Sequence, residues 1–213
     1  MKKFLMFIIL SVLSLKLFAA VGCDLNDPDR DVKRFFPDST GYKTEYASIA
    51  KSGGQELLKK VEARLQDNFQ GLYETIDVPY TIYTVYKNKE ILGYIHGINQ
   101  KGRYGGLQVF LTYSPQGTIV NFYYQKLTSK KSKLLRSADF AKQFAGLVLE
   151  DFLTYDPKSA EGGSQKVSAI KNPVPEDSVD FNATLRAVKK NLILTDIFVF
   201  NKKEKTNDKK EAK

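Results

Sequence analysis

Residues 107–124, with the sequence L-Q-V-F-L-T-Y-S-P-Q-G-T-I-V-N-F-Y-Y, decide the fold of this chain. Two runs rich in aromatic and β-branched residues flank S-P-Q-G, which has the proline and glycine placement of a tight turn. In the first run Val109, Leu111 and Tyr113 recur at every second position, which is typical of a strand with one face better buried than the other. The stretch therefore predicts a β-hairpin at the middle of the domain.

Further strand and helix patterns flank this hairpin on both sides. Apolar residues at helical spacing from Leu57 to Leu65 predict a helix, and Ser137 has the position of a helix N-cap. The predicted strands cover residues 42–49, 72–86, 91–98, 107–113, 118–124 and, as a short candidate, 167–170. Within residues 72–86, Pro79 indicates either an edge strand or a strand that begins after it. The predicted helices cover residues 29–35, 55–69, 137–152 and 180–200. Antiparallel hairpins combined with helices predict an α+β fold, with one domain over residues 53–200.

The composition excludes several classes of protein. Among 213 residues there is one cysteine and one histidine, so the chain has no intrachain disulfide, thiolate metal cluster or histidine-rich metal site. His96 lies inside a predicted strand, and we expect it to be packed or surface-exposed rather than catalytic. The net charge of +9 suits anionic lipid or phosphate ligands as well as nucleic acid. Because no nucleic-acid-binding motif accompanies it, we expect no nucleic-acid partner.

Residues 1–22 have the layout of a secretory signal peptide. A positive start is followed by an apolar run and by the small residues Ala20 and Gly22. Cys23 comes directly afterwards, so the segment resembles a bacterial lipoprotein signal, whose cysteine is diacylated through sulfur. That resemblance, with Asp24 next in the chain, implies a lipid anchor on the extracytoplasmic face of the inner membrane of the cell envelope, in the periplasm. The alternative is an uncleaved amino-terminal anchor with an incidental cysteine.

Three polar segments flank or interrupt the predicted domain. Residues 23–52 are interpreted as a linker and entry segment, and residues 201–213 as a basic disordered tail. Residues 126–136 contain five cations and no acid. We favour a solvated loop for this basic segment; the alternative is a contact for a phosphate or a lipid head group.

The order of elements over residues 80–194 resembles the flavin mononucleotide (FMN)-binding domain of membrane redox complexes. That family includes the extracytoplasmic flavin subunits of the Rnf and sodium-pumping quinone reductase type. The glycines at 93, 105, 106 and 117 resemble the family's glycine-marked hairpin. The sequence N-A-T-L at residues 182–185 overlaps the position of the family's S-G-A-T, with Ala183-Thr184 at its Ala-Thr and Phe181-Asn182 at its Ser-Gly. The resemblance implies an FMN-binding-domain-like α+β fold.

The resemblance also implies roles for four residues near the start of the last helix. Thr184 would carry the flavin phosphate as a phosphoester installed by a separate flavin transferase, with Ala183 and Asn182 beside it. Arg186 would pair with the phosphate of a non-covalently bound FMN. A helix start suits a phosphate because its N–H groups are unpaired and its dipole end is positive.

Two main functions stay open from the sequence. The first is a membrane-tethered flavoprotein that relays electrons through bound FMN; no catalytic side chain is assigned, and whether it counts as an enzyme is undecided. The second is a cofactor-less accessory or binding subunit of a membrane complex that kept the scaffold. Phe181 and Asn182 replace the family's Ser-Gly and favour the second function. A third alternative, a small-ligand carrier, depends only on the richness in tyrosine. The expected partners are membrane lipid through Cys23 and other subunits of a complex.

Overall fold

A five-stranded antiparallel sheet, in the spatial order β1-β2-β3-β4-β5, forms the centre of the protein. The computed structural model describes residues 22–201, so the expected signal peptide (all but Gly22) and nearly all of the expected basic tail lie outside the described residues. The strands are β1 Gly41–Ala47, β2 Tyr80–Lys87, β3 Glu90–Lys101, β4 Gly106–Tyr113 and β5 Ile119–Leu127. The sheet with its helices confirms the predicted α+β class.

Seven α-helices accompany the sheet within the described residues. They are α1 Pro28–Phe35, α2 Ile49–Ser52, α3 Gly54–Leu65, α4 Ser132–Leu135, α5 Ala138–Ala141, α6 Gln165–Ser168 and α7 Val179–Thr195. Helix α7 continues as a π-helix over Asp196–Phe200, and short 3-10 helices cover Leu72–Glu74, Lys142–Phe144 and Leu149–Phe152. Within residues 22–201 no helix is long and apolar enough to cross a membrane.

Both faces of β4 are buried, which differs from the expectation of one better buried face, whereas β5 alternates between buried and partly exposed residues. Val109 and Leu111 of β4 point into the larger core, which is completed by α7 and α3. Phe110, between them, points into a second cluster with Ile95 and Val32 of α1. The amino-terminal segment packs on this second face. The alternation of residues within a strand could not predict this packing, because the segment comes from a distant part of the chain. We call the α7 side the front face and the other the back face.

A glycine in β3 makes room for the ring on the back face. A Cβ atom at Gly97 would lie 2.3 Å from Cε1 of Phe110 on the neighbouring strand. The side-chain-free backbone therefore lets the Phe110 ring lie against β3. Gly97 thus serves packing rather than a turn.

Two sequence predictions about the later part of the chain are wrong. The helix predicted over residues 137–152 begins as expected, because the Ser137 hydroxyl accepts a hydrogen bond from the backbone N–H of Phe140. It then breaks at Ala145, which is extended, and at Gly146, whose φ of +82° is left-handed. The strand predicted at residues 167–170 is instead the short helix α6, capped by Ser164.

The antiparallel pairing places specific segments at each end of the sheet. At one end Ala47 pairs with Tyr80 and Lys101 pairs with Gly106. We call this the loop end; it carries the β3–β4 loop and the end of β5. The opposite end, the turn end, carries the β2–β3 and β4–β5 turns.

The amino-terminal strap, residues 22–27, crosses the back face near the loop end. Its hydrogen bonds run to the side chains of three strands. They join Gly22 O to Asn99 Nδ2 at 2.7 Å, Asp24 Oδ1 to Thr81 Oγ1 at 2.6 Å, Leu25 N to Tyr83 Oη at 3.0 Å, Asn26 N to Gln125 Oε1 at 2.8 Å and Asp24 O to Gln125 Nε2 at 2.7 Å. The segment expected to be a linker is therefore docked on the sheet from Gly22 onward.

Candidate functional site

The start of α7 lies against the β3–β4 loop. Asp180, in the first turn of the helix, is 5% exposed. Its carboxylate Oδ1 accepts a hydrogen bond of 2.8 Å from the backbone N–H of Arg103. A carboxylate near the positive end of a helix is electrostatically favourable. The carboxylate of Asp180 therefore already supplies a negative charge at the helix start, where the resemblance implied a phosphate.

Thr184, the expected attachment residue, lies inside the core. Its side chain is fully buried, and its hydroxyl donates a hydrogen bond of 2.7 Å to the backbone carbonyl of Asp180. The Tyr124 hydroxyl lies 2.5 Å from Thr184 Oγ1. Burial raises the pKa of Tyr124, so its hydroxyl stays protonated and can donate to Thr184. The threonine oxygen therefore has partners on both sides and no exposure to solvent.

The two residues before Thr184 are half-buried, as is Phe181. The backbone N–H of Asn182 donates to Ser178 O at 2.8 Å, within the helix. Phe181 and Ala183 pack against the larger core, and the Phe181 ring lies 6.1 Å from that of Phe140. The phenylalanine that replaces the family's serine is thus a packing residue.

Arg186 lies on the neighbouring face of α7 and is held by two carboxylates. Its Nε is 2.7 Å from Asp67 Oδ2 and its Nη1 is 2.5 Å from Glu74 Oε1. The Gln100 side chain accepts a further hydrogen bond of 2.7 Å. Burial opposes the charge, but the hydrogen bonds and attraction of Glu74 and Asp67 outweigh it and raise the pKa of Arg186.

Glu74 links Arg186 to a second buried cation. Lys190 Nζ lies 2.5 Å from Glu74 Oε1 and 2.8 Å from Asn99 O, and its side chain is fully buried. Burial alone would raise the pKa of Glu74, yet the attraction of Lys190 and the hydrogen bond from Arg186 lower it to about 2. Burial lowers the pKa of Lys190, with Arg186 adding repulsion. Because two cations share one carboxylate, Glu74 stays ionised. Of the two cations, Lys190 loses its proton more easily, because its pKa is lowered whereas that of Arg186 is raised.

A polar cleft of about 190 Å³ opens beside this charge cluster. Its lining residues are Asp67, Gln70, Tyr73, Glu74, Gln100, Lys101 and Arg186. Pockets that enclose a cofactor usually measure about 300–1,000 Å³. Sequence analysis identified only Arg186 among these residues. One sequence signal could have revealed the buried charge cluster. It is the pair Lys189-Lys190, which lies within a largely apolar stretch of the last helix.

These residues do not fit FMN as the resemblance implied. The hydroxyl of Thr184 is enclosed and hydrogen-bonded, Arg186 is neutralised by Glu74 and Asp67, and the adjacent cleft is smaller than the usual cofactor pocket. The four expected residues are sequence neighbours on α7, but they do not converge on one open surface.

The lone histidine takes part in a buried hydrogen-bond network. His96 Nδ1 lies 2.9 Å from Thr195 Oγ1, and Asn191 Nδ2 donates to His96 O at 2.9 Å. Tyr113 donates to Asn191 Oδ1 at 2.8 Å. Thr195 also donates to Asn191 Oδ1, so Nδ1 of His96 is the donor to Thr195 in this arrangement. His96 is packed, which is one of the two placements that the sequence left open.

We expect the burial of His96 to make the protein less stable in mild acid. Burial lowers the pKa of His96 to about 4 from 6.5. Between these values the unfolded chain binds a proton that the native state does not, so stability falls as the pH decreases. A shift of this size corresponds to about 2 kcal/mol lost between pH 7 and pH 5. Urea unfolding at both pH values measures it, and His96→Gln should remove most of the difference; an equal pH dependence in both proteins would contradict this account.

The cysteine expected to carry lipid lies in the back-face cluster. Cys23 is 2% exposed and packs with Leu25 and Val85. Burial raises the pKa of its thiol. A lipid on the Cys23 sulfur would therefore require this residue to leave the back-face cluster.

Comparisons with known proteins add no family to this picture. No protein-family model matches the chain, and no curated protein matches its sequence. Within residues 22–201 no group of three or more His, Cys, Asp or Glu side chains is arranged to hold a metal ion.

Proposed function

We propose that this protein is a cofactor-less accessory subunit of a membrane complex, held on the extracytoplasmic face of the inner membrane by lipid on Cys23. It keeps a scaffold that resembles the FMN-binding domain. The observation that carries the proposal is the Thr184 hydroxyl, which is fully buried between Tyr124 and the carbonyl of Asp180. A phosphoester at that oxygen needs an exposed hydroxyl, so attachment would require the start of α7 to leave the core.

The electrostatics around α7 support the same proposal. An FMN phosphate brings about two negative charges, which a binding site has to neutralise with free donors or cations. Arg186 and Lys190 already neutralise Glu74 and Asp67, and the Arg103 N–H is already bonded to Asp180. The charges of this region hold α7 on the sheet. A rigid, internally satisfied scaffold suits a subunit that acts through its surface.

Flavin loading tests the proposal directly. The full chain is co-expressed with a flavin transferase beside a subunit with an intact S-G-A-T motif as positive control. We expect flavin fluorescence on a denaturing gel from the control only, and no yellow colour in the native protein. Intact mass of the mature chain should show diacylglycerol on a chain that begins at Cys23, and no FMN. A fluorescent band that Thr184→Ala abolishes would overturn the proposal and favour the electron-relay function.

The accessory role has its own readout. After mild detergent extraction of native membranes, the chain should co-migrate with at least one other subunit. Thr184→Ser keeps the buried hydroxyl and should leave that association unchanged. Migration as a free monomer would contradict an accessory role, whatever the flavin assay shows.

A further inference from the structure

Three segments meet at the loop end of the sheet and form a basic surface. They are the β3–β4 loop (residues 102–105), the end of β5 with the segment after it (residues 126–136), and the end of the loop before α7 with the first residue of that helix (residues 176–179). Lys130 Nζ lies 5.1 Å from the centre of the Tyr104 ring, and a Cβ at Gly105 would lie 3.1 Å from Thr128. Ion pairs tie the third segment to the others, joining Lys131 to Glu176 at 3.1 Å and Arg103 to Asp177 at 2.9 Å. We call this the loop-end surface.

The loop-end surface has a local excess of positive charge. Its two acids, Glu176 and Asp177, are each matched by one cation. Lys126, Lys130 and Lys133 are exposed and form no ion pair with any described residue. Three unmatched lysines remain for an anionic partner.

Exposed apolar side chains accompany the lysines on the same three segments. Tyr104 is 44% exposed, Leu134 45% and Val179 44%. Aromatic and aliphatic side chains beside lysines are the combination that favours the interface between lipid head groups and acyl chains. In a loop that only contacts water, exposure of these apolar side chains would give no favourable free energy.

The amino-terminal strap leads to this same end. The mature chain would begin at Cys23, and its next residue, Asp24, is bound by Thr81, the second residue of β2 at the loop end. Two strand residues span about 7 Å. A lipid on Cys23 therefore leaves the domain close to the loop-end surface, with no flexible tether between them.

We propose that the loop-end surface binds the anionic head groups of the bilayer that holds the lipid of Cys23, so that the sheet stands end-on with the turn end away from the membrane. This inference rests on the proposed lipid attachment. The two acyl chains on Cys23 would already hold the chain at the membrane, so the lysines set the orientation of the domain rather than its attachment. Each lysine near an anionic surface adds attraction that decays within a Debye length, so the contact depends on salt.

Tryptophan fluorescence tests this orientation, because the chain contains no tryptophan. The full-length chain is prepared as Tyr104→Trp or, as a control at the exposed β2–β3 turn, as Lys89→Trp. Each is inserted into preformed vesicles of phosphatidylcholine, alone or mixed with phosphatidylglycerol, that contain brominated acyl chains. We expect strong quenching for Tyr104→Trp in the anionic vesicles, weak quenching at high salt or in the neutral vesicles, and weak quenching throughout for Lys89→Trp.

Charge reversal of two lysines tests whether they form the contact with the anionic lipid. In the Tyr104→Trp chain, Lys130→Glu with Lys133→Glu should lower the ratio of membrane-bound to free orientation on the order of a hundredfold. The matched control, Lys60→Glu with Lys89→Glu, changes the net charge equally at exposed sites on α3 and in the β2–β3 turn, outside the loop-end surface, and should leave quenching unchanged.

The outcomes separate this proposal from the lipid anchor. Equal quenching of the two reporters, or no quenching of Tyr104→Trp, overturns the end-on contact whatever the mass of the protein. Intact mass of the same preparation reports the lipid on Cys23 independently. Salt-sensitive quenching of Tyr104→Trp on a chain without lipid would uphold the loop-end surface and contradict the lipid anchor.

Discussion

Glu74→Ala should lower the free energy of unfolding by about 3–5 kcal/mol, the cost of leaving buried charges without their partner. Lys190 is fully buried and Arg186 nearly so, and both point at the Glu74 carboxylate. Alanine leaves the Lys190 ammonium with the carbonyl of Asn99 as its one described hydrogen-bond acceptor, beside the ring of Phe69 at 5.7 Å. Chemical denaturation of the purified chain at neutral pH measures the loss.

Matched variants separate buried charge from general damage. Glu56 pairs with Lys59 on the exposed face of α3, so Glu56→Ala should change stability by less than about 1 kcal/mol. Glu74→Met combined with Lys190→Met removes the anion and its buried partner together, while Arg186 keeps Asp67. This double variant should recover most of the loss. A cost below about 1 kcal/mol for Glu74→Ala would show that the cluster is hydrated in solution.

Phe144→Ala should also cost about 3–5 kcal/mol in the free energy of unfolding, because it removes a fully buried ring that packs against two other rings. The Phe144 ring is fully buried, stacks on Phe122 of β5 with centroids 4.3 Å apart, and meets Phe140 edge-on at 5.2 Å. These contacts hold the irregular segment after β5 to the sheet. Thermal and denaturant unfolding both measure the change.

An exposed residue of the same segment is the control for Phe144→Ala. Leu153 is 55% exposed, and Leu153→Ala should shift stability by no more than about 0.5 kcal/mol. Similar losses for the two variants would mean that residues 138–152 are not docked on β5 as described. Intact stability in Phe144→Ala would lead to the same conclusion.

The two most sensitive sites explain how α7 is held over the sheet. Charges anchor its middle through Glu74 and Lys190, and aromatic packing of the 138–152 segment supports β5, whose Tyr124 contacts Thr184. Contacts with the β3–β4 loop, β5 and Glu74 therefore hold the first half of α7 in place. This anchoring supports the proposal of a scaffold whose partners bind its surface.

Local sequence patterns predicted those parts of the fold in which the type of each residue reflects its own burial or capping. Alternation in residues 107–113 predicted β4, and the placement of Ser137 predicted a cap that the structure confirms. The pattern failed where one backbone angle decided the outcome. The apolar stripe from Phe140 to Phe152 has helical spacing, but the left-handed Gly146 ends the helix, and the same apolar residues are buried without it.

The candidate site depended on contacts between distant parts of the chain. Arg186 was identified by its distance from Thr184, yet its partners Asp67 and Glu74 lie more than a hundred residues earlier. No local pattern shows that two carboxylates will come together under one helix. The basic segment 126–136 was visible as charge, but its neighbours Tyr104 and Glu176 come from other loops.

By itself, the sequence determined the α+β class, the five strands in order and the last helix, because hydrophobic periodicity and turn residues act over a few positions. Only the tertiary structure decided that Thr184 is enclosed, that Arg186 is neutralised, and that the strap and the basic segment share one end of the sheet. Those facts depend on burial and on charge pairing between segments remote in the chain. Both are set by packing, which no single stretch of sequence contains.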